Sequence, residues 1–308
     1  MPRKRAEIKH IPASVASLIS TVQLAQAANT RAAYDKDLLR FVGANGEIPA
    51  TPEEVAAYLV AHRDLKISTL RRWASGISFA HVSANLPDPC ASRLVKDTLK
   101  GLSKSETKDV RRARPAIVKE VRIMVDRQPA SLRGIRNRAI LLVGFCGALR
   151  RSEIRALEVR DVAFDTDCMR LRIRSSKTDQ EARGATVTVM KAKQARYCAI
   201  DALKFWIQTA GIRSGSLFRP ISKSGAIAAD ALSGYSISQV VKEAADLAGL
   251  DSTTYSGHSL RAGLITSAMV AGKPRHKVKG QSRHKSDAAF DIYIRDLENK
   301  TDNASDLF

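Results

Sequence analysis

The chain has 308 residues and 44% hydrophobic content, enough to bury one large core or two ordinary ones. Its 51 Lys and Arg against 31 Asp and Glu give a net charge of +20, which points to a polyanionic partner, nucleic acid first. No apolar run reaches bilayer length and the N-terminal MPRKRAEIKH lacks the apolar core of a signal peptide, so a membrane span and secretion are excluded and a cytoplasmic, nucleoid-associated chain is expected.

The charge is uneven. The first 103 residues hold 14 Lys and Arg against 9 Asp and Glu, so about three quarters of the excess falls on the remainder. The second part should therefore hold most of the polyanion contact. Cys90, Cys146, Cys168 and Cys198 form no C-x-x-C pair, and no His stands at zinc-ligand spacing from them. They read as reduced packing thiols, with no zinc site among them.

In chain order, NTRAAYDKDLLRFVGANG predicts a helix capped at Asn29 or Thr30 and stopped by Gly43. TPEEVAAYLVAHR opens with Thr51, Pro52 and Glu54, the spacing of a capping box. ISTLRRWASGISFAHVSA and CASRLVKDTLKGL predict two more helices, so residues 1–103 form a small helical domain. Residues 104–114 are polar, charged and aperiodic, and read as a linker. Its Arg111, Arg112 and Arg114 are either solvated or phosphate contacts.

Residues 115–308 form the second domain. PAIVKEVRIMVDRQ and LRGIRNRAILLVGFCGALR predict helices. The period then changes from 3.6 to 2, and MRLRIRSSKTDQEARGATVTVM reads as a β-hairpin. Helices return in CAIDALKFWIQTAG, SISQVVKEAADLAGL, HSLRAGLITSAMVAG and SDAAFDIYIRDLENKT. The expected fold is mainly α: an N-terminal helical domain plus an α+β domain with a small antiparallel sheet.

Chemistry on a phosphodiester needs cations on the non-bridging oxygens, a nucleophile and a proton donor for the leaving oxygen. Arg150 and Glu153 in GALRRSEI stand three apart at a helix start, so they face one side. A surface ion pair is the alternative reading. Lys177 lies near the hairpin tip, where a lysine delivers a proton or is simply solvated. His258 and Arg261 in GHSLRAG also stand three apart, and Tyr293 follows His284 by nine residues. Tyr293 is a nucleophile if its ionisation is assisted, and otherwise a packing residue. Taken one by one, these residues leave both readings open.

Taken in order, the set resembles the tyrosine recombinases, the phage integrase family. The resemblance covers the whole chain and is sharpest over residues 145–300. YSGHSLRAG and YIRDLENKT are most similar to the Cre type. The resemblance implies an N-terminal core-binding domain and a catalytic domain. It implies that Arg150 and Arg261 bind the scissile phosphate, that Tyr293 attacks it to form a 3′-phosphotyrosyl bond, and that Lys177 protonates the 5′ oxygen. His258 would accept and return the proton of Tyr293, His284 would hydrogen-bond the phosphate, and Glu153 would brace the site. Neither metal nor ATP is implied. In SRH the residue before His284 is Arg283, where many relatives have Gly, and the Cre type has Trp at the His284 position.

The implied partner is double-stranded DNA with an inverted-repeat site, held by a homotetramer that passes through a Holliday junction. Lys66, Ser68, Thr69, Arg71 and Arg72 on one helix, and Lys273, Arg275, Lys277 and Lys279 near the site, are candidate DNA contacts or solvated faces. Leu307 and Phe308 end the chain, and by the resemblance they would dock into a neighbouring protomer. The resemblance implies no additional arm-binding domain. A type IB topoisomerase-like or telomere-resolving enzyme, and a non-cutting DNA-binding protein of this fold, are the alternatives.

Overall fold

The computed structural model describes residues 28–105, 113–174, 184–291 and 293. The chain divides into two compact units between Val110 and Arg111. The segment read as a linker falls largely on residues 106–112, outside the described residues.

The first unit contains α1 (Ala28–Gly43), α2 (Pro52–Ala61), α3 (Ile67–Ser83) and α4 (Arg93–Ser105). α1 already runs at Ala28, so Asn29 and Thr30 lie inside it rather than capping it. Alanine is the best helix former, and it carries the turn across them. The capping box of α2 is as the spacing predicts: the Thr51 amide donates to Glu54 Oε2 at 2.7 Å, and the Glu54 amide donates to Thr51 Oγ1 at 3.2 Å. α3 buries Leu70, Trp73, Ala74, Ile77 and Ala80, a 3.6-residue stripe that packs with Phe41, Val55, Leu59 and Val95. Buried His81 closes this core. Its Nε2 accepts from the Ala50 amide and its Nδ1 donates to the Ile77 carbonyl, both at 2.8 Å.

The second unit is built on α6 (Leu132–Cys146), which is buried from Ala139 through Phe145. Around its core pack α5 (Val118–Asp126), α8 (Ala199–Thr209), α9 (Gly234–Leu247) and α10 (Ser259–Val270). Short α7 (Arg151–Ala156) leads into the antiparallel sheet β1 (Val162–Phe164), β2 (Cys168–Ile173) and β3 (Ala185–Met190), ordered β1-β2-β3. Leu171 faces Val162 on one side and Val187 on the other. The strands alternate, with Met169, Leu171, Ile173, Val187 and Val189 buried. The sequence pattern found β2 and β3 but not β1, which at three residues is too short to show a period.

Two further helices complete the described chain, α11 (Arg275–Ser282) and α12 (Asp287–Asp291). The sequence shows α11 only as a basic run. Val278 is its buried apolar residue, so no hydrophobic period marks it. The helix expected over SDAAFDIYIRDLENKT is present over Asp287–Asp291, residues 292 and 294–301 lie outside the described residues, and Tyr293 itself departs from the expectation. Tyr293 lies in a turn after α12, its amide bonded to the Phe290 carbonyl at 3.0 Å in an i to i−3 pattern that tightens the chain. Among the described residues, no helix is long and apolar enough to cross a membrane.

Close backbone approach sets the position of α10. The Ala116 amide donates to the Ser259 carbonyl at 2.9 Å. A Cβ added at Gly263 would lie 1.8 Å from the Ala116 carbonyl oxygen, so only glycine fits there. At Gly144 of α6 an added Cβ would meet Leu260 and Ile154 side chains at 2.8 and 2.9 Å. These contacts bring the start of α10 against α6 and α7. Gly263→Ala is expected to destabilise the protein by about 1–3 kcal/mol, as overpacking against backbone does. Gly280→Ala, whose Cβ meets nothing within 4 Å, is the control. Thermal melts followed by circular dichroism should show a lower Tm for the first variant and no loss for the second.

Candidate active site

The tight approach of α6, α7 and α10 gathers the candidate residues from four places in the sequence. Arg150 stands at the N-cap of α7, after a turn in which Ala148 takes the left-handed φ of 46°. Its Nη1 bonds Glu153 Oε1 at 2.8 Å, and its amide donates to Glu153 Oε2 at 2.8 Å. Glu153 therefore caps the helix and grips the arginine at once, with its side chain only 1% exposed.

His258 is the N-cap of α10, and Arg261 lies in its first turn. A 100° step per residue turns both toward one side. Gly257 lets the chain enter here, since an added Cβ would press on Ser238 and Arg151 at 3.1–3.2 Å. Arg261 is fully buried, an unusual place for a guanidinium. Its Nη1 donates to the Ala148 carbonyl at 2.8 Å. Its Nη2 approaches the His284 ring at 3.4–3.5 Å, the outer limit of a hydrogen bond.

Tyr293 completes the cluster. Its hydroxyl lies 2.6 Å from His258 Nε2, and its ring centroid lies 5.5 Å from that of His284. The Tyr293 body packs with Ile265, Val278 and Phe290, a small apolar group joining α10, α11 and α12. The tyrosine is thus both a packing residue and the partner of a histidine. His284 Nδ1 lies 2.9 Å from Ser282 Oγ, which itself bonds the Lys279 carbonyl at 3.2 Å.

The electrostatics follow from this crowding. Burial and then the Arg150 charge push Arg261 down to about 10, opposed by Glu153. His284 is pushed down to about 3, first by burial and then by the positive charges of Arg261 and Arg150. His258 moves the same way and for the same causes, desolvation leading, although part of its surface stays exposed. Both histidines are therefore neutral near pH 7 in the DNA-free protein, and His258 Nε2 is able to accept the Tyr293 proton.

The sequence reading treated Arg283 only as a departure from a family pattern. In the structure its guanidinium reaches Glu153 Oε2 at 2.6 Å. The signal was the cation beside His284 in SRH, and its meaning needed the fold. Ser282 was missed because a lone serine carries no pattern.

The other candidates lie as follows. Lys177 falls outside the described residues, as do Arg111, Arg112, Leu307 and Phe308. Arg174, at the end of β2 on the way to Lys177, donates to the Ala156 carbonyl at 2.8 Å and pairs with Glu158 and Asp161 at 2.8 and 3.0 Å. Arg114 is tied to Glu120 at 2.5 Å, and its guanidinium lies over the Tyr255 ring. In the first unit, Lys66, Ser68 and Arg71 are exposed at the start of α3, and Thr69 is half-buried. Arg71 donates to Ser103 Oγ at 3.3 Å. Arg72 pairs with buried Asp37 at 2.9 Å. Burial raises the Asp37 carboxyl, and the charges of Arg72 and Arg40 pull against that. Lys273 and Lys277 are exposed. Arg275 pairs with Asp291, and Lys279 with Asp287 at 2.8 Å, so these two cations fasten α11 to α12 in the DNA-free protein.

Comparison with known proteins identifies the family. The model of the phage integrase family matches residues 118–300. The chain is 32% identical over 263 residues to an integrase/recombinase XerD homolog of Selenomonas ruminantium, covering 84% of this chain and 77% of that protein. It is 26% identical over 274 residues to recombinase Cre of Escherichia phage P1, covering 82% and 78%. Its fold is similar to that of a lambda integrase tetramer bound to a Holliday junction, with a TM-score of 0.60, 16% identity and coverage of 89% and 77%. The family model spans more than half of the chain, and the chain belongs to the phage integrase family and is a tyrosine site-specific recombinase.

Proposed function

We propose that Tyr293 is the nucleophile of strand cleavage and His258 its proton acceptor. The observation that carries this reading is the 2.6 Å contact between Tyr293 Oη and His258 Nε2, beside the buried guanidinium of Arg261. Oη attacks the phosphorus, and its proton passes to His258 Nε2. The bond from phosphorus to the 5′ oxygen breaks, leaving a 3′-phosphotyrosyl link, and Lys177 gives that oxygen its proton. The reverse step, with a 5′ hydroxyl of another strand as attacker, rejoins the backbone. One phosphoester replaces another at each step, so the exchange needs no separate energy source.

Arg150 and Arg261 hold the non-bridging oxygens and stabilise the charge that builds on the five-coordinate phosphorus. His284 adds a hydrogen bond once a phosphate lies between it and Arg261. The phosphate also supplies the negative charge that this cation cluster lacks. Glu153 keeps the segments that bear Arg150 and Arg283 in register.

The assembly is a homotetramer that joins two DNA sites, each an inverted repeat, in the cytoplasm. The likeness in fold to a tetramer on a Holliday junction supports the tetramer. Lys66, Ser68, Thr69 and Arg71 on the first unit, and Lys273 and Lys277 near the site, serve as DNA contacts. Arg72, Arg275 and Lys279 serve only by exchanging a carboxylate for a phosphate, which makes them salt-sensitive contacts.

A nicked duplex that loses a short strand on cleavage traps the covalent intermediate. Wild-type protein is expected to form a slower-migrating protein–DNA band on denaturing gels, with Tyr293→Phe forming none. Lys177→Ala is expected to cut about 100- to 1,000-fold slower, the range for loss of a positioned acid, and to recover on a substrate with a 5′-thio leaving group that needs no proton. A persistent band in Tyr293→Phe, or no band from wild type on its own site, contradicts the reading.

The neutral histidines predict a pH dependence. In the unfolded chain both take a proton near the ordinary value of about 6.5, while in the folded chain they do so only at lower pH. Between those values the unfolded state binds more protons, so stability falls as pH falls from about 7 toward 5. Urea titrations across that window should show a dropping midpoint, less so in His284→Phe. Nitrogen-15 NMR of the His284 ring should show it still neutral at pH 5.

A further inference from the structure

We propose that Arg283 is a positioning residue for strand cleavage, whose guanidinium fixes the turn presenting His284 against the segment that presents Arg150 and holds Arg261 through the Ala148 carbonyl. The proposal rests on the assignment of those three residues to the scissile phosphate.

Arg283 follows α11 with φ 57° and ψ 41°, in the left-handed region. A Cβ crowds the backbone there, and glycine takes this conformation at no steric cost. An arginine in that place is held by what its side chain does. The side chain is only 13% exposed, although it is long and charged. Its Nη2 bonds Glu153 Oε2 at 2.6 Å and the Ala148 carbonyl at 3.4 Å. Its Nη1 bonds the Gln281 carbonyl at 3.0 Å and the Gly147 carbonyl at 3.3 Å.

These partners are the frame of the site. The Ala148 carbonyl also accepts from Arg261 Nη1, and Glu153 Oε2 also accepts from the Arg150 amide. One planar fork thus spans residues 147–153 on one side and 281–284 on the other. His284, the next residue in the chain, takes its place from this strut and from Ser282. Gln281 adds a parallel tie, its amide donating to the carbonyls of Cys146 and Thr188 at 2.9 and 3.0 Å. Burial lowers the proton affinity of Arg283, and the Glu153 carboxylate counters this, which suits a charged group with a fixed partner. A lysine would keep the charge but lose the fork, since an ammonium cannot present two parallel donors in one plane.

The test compares wild type, Arg283→Gly and Arg283→Lys on the nicked duplex under single-turnover conditions at saturating protein. The glycine variant relieves the backbone while removing the strut. Its cleavage rate constant is expected to fall roughly 10- to 100-fold, the scale of a misplaced reacting group. Its Kd for DNA should stay within about 3-fold of wild type, because the side chain is turned inward to Glu153 and the carbonyls. The lysine variant should recover only part of the rate. Nitrogen-15 NMR of the His284 ring should show a higher proton affinity in Arg283→Gly than in wild type, since His284 loses a neighbouring positive charge. Cleavage by Arg283→Gly at the wild-type rate overturns the proposal, as does a rate loss matched by an equal loss of DNA binding or by unfolding in both variants. Tyr293→Phe on the same duplex reports on the site assignment separately. An adduct surviving there overturns that assignment and this proposal with it.

Discussion

The carboxylate of Glu153 is the interaction on which the site depends. A buried carboxylate is costly unless its lone pairs are occupied, and here both oxygens are. One takes Arg150 Nη1, and the other takes Arg283 Nη2 and the Arg150 amide. The same group caps α7, so the helix start, the arginine and the turn before His284 are set by a single anion. Without it, Arg150, Arg261 and Arg283 would repel one another in a poorly solvated space. Packing brings these cations together, through the glycines that let α6, α7 and α10 approach, and Glu153 makes their proximity tolerable.

The anion offsets only part of the positive charge. The depressed proton affinities of Arg261 and His284 express what remains, because burial and cationic neighbours both disfavour another proton there. On the proposed function, a site left short of negative charge suits a phosphodiester, and suits the more highly charged transition state better. The donors are already placed, so little reorganisation is needed when charge develops. The proposed nucleophile rests on a different foundation. Tyr293 is anchored by apolar contacts with Ile265, Val278 and Phe290, while Arg275 and Lys279 pair with Asp291 and Asp287 across α11 and α12. That mixture is weaker at its exposed edge than the Glu153 centre, since surface ion pairs contribute little and weaken with salt.

Much of this was legible in the sequence because it is periodic or capped. The stripe Leu70, Trp73, Ala74, Ile77 and Ala80, the Thr51–Glu54 box and the alternation from Met169 to Ile173 all read directly as the elements they form. Arg150 with Glu153, and His258 with Arg261, were legible as pairs because three-residue spacing puts side chains on one helix face. What the sequence did not show depends on tertiary contact. Arg283 stands out in the sequence only as a departure from the family pattern, and its partner Glu153 is 130 residues away. α11 has too few apolar residues to display a period. The turn at Tyr293 sits in a run that reads as helix throughout, and only the contact with His258 marks its hydroxyl as more than the polar end of a packing residue.

Glu153 is proposed to act as an anion that holds the arginines in place for the phosphate. Glu153→Gln tests it most directly, because glutamine keeps the size and one acceptor oxygen but removes the charge. The measurement is the single-turnover cleavage rate constant at saturating protein on the nicked duplex. A fall of roughly 10- to 100-fold, with DNA affinity little changed, is the result this account predicts. Cleavage at the wild-type rate by a folded Glu153→Gln protein would contradict it.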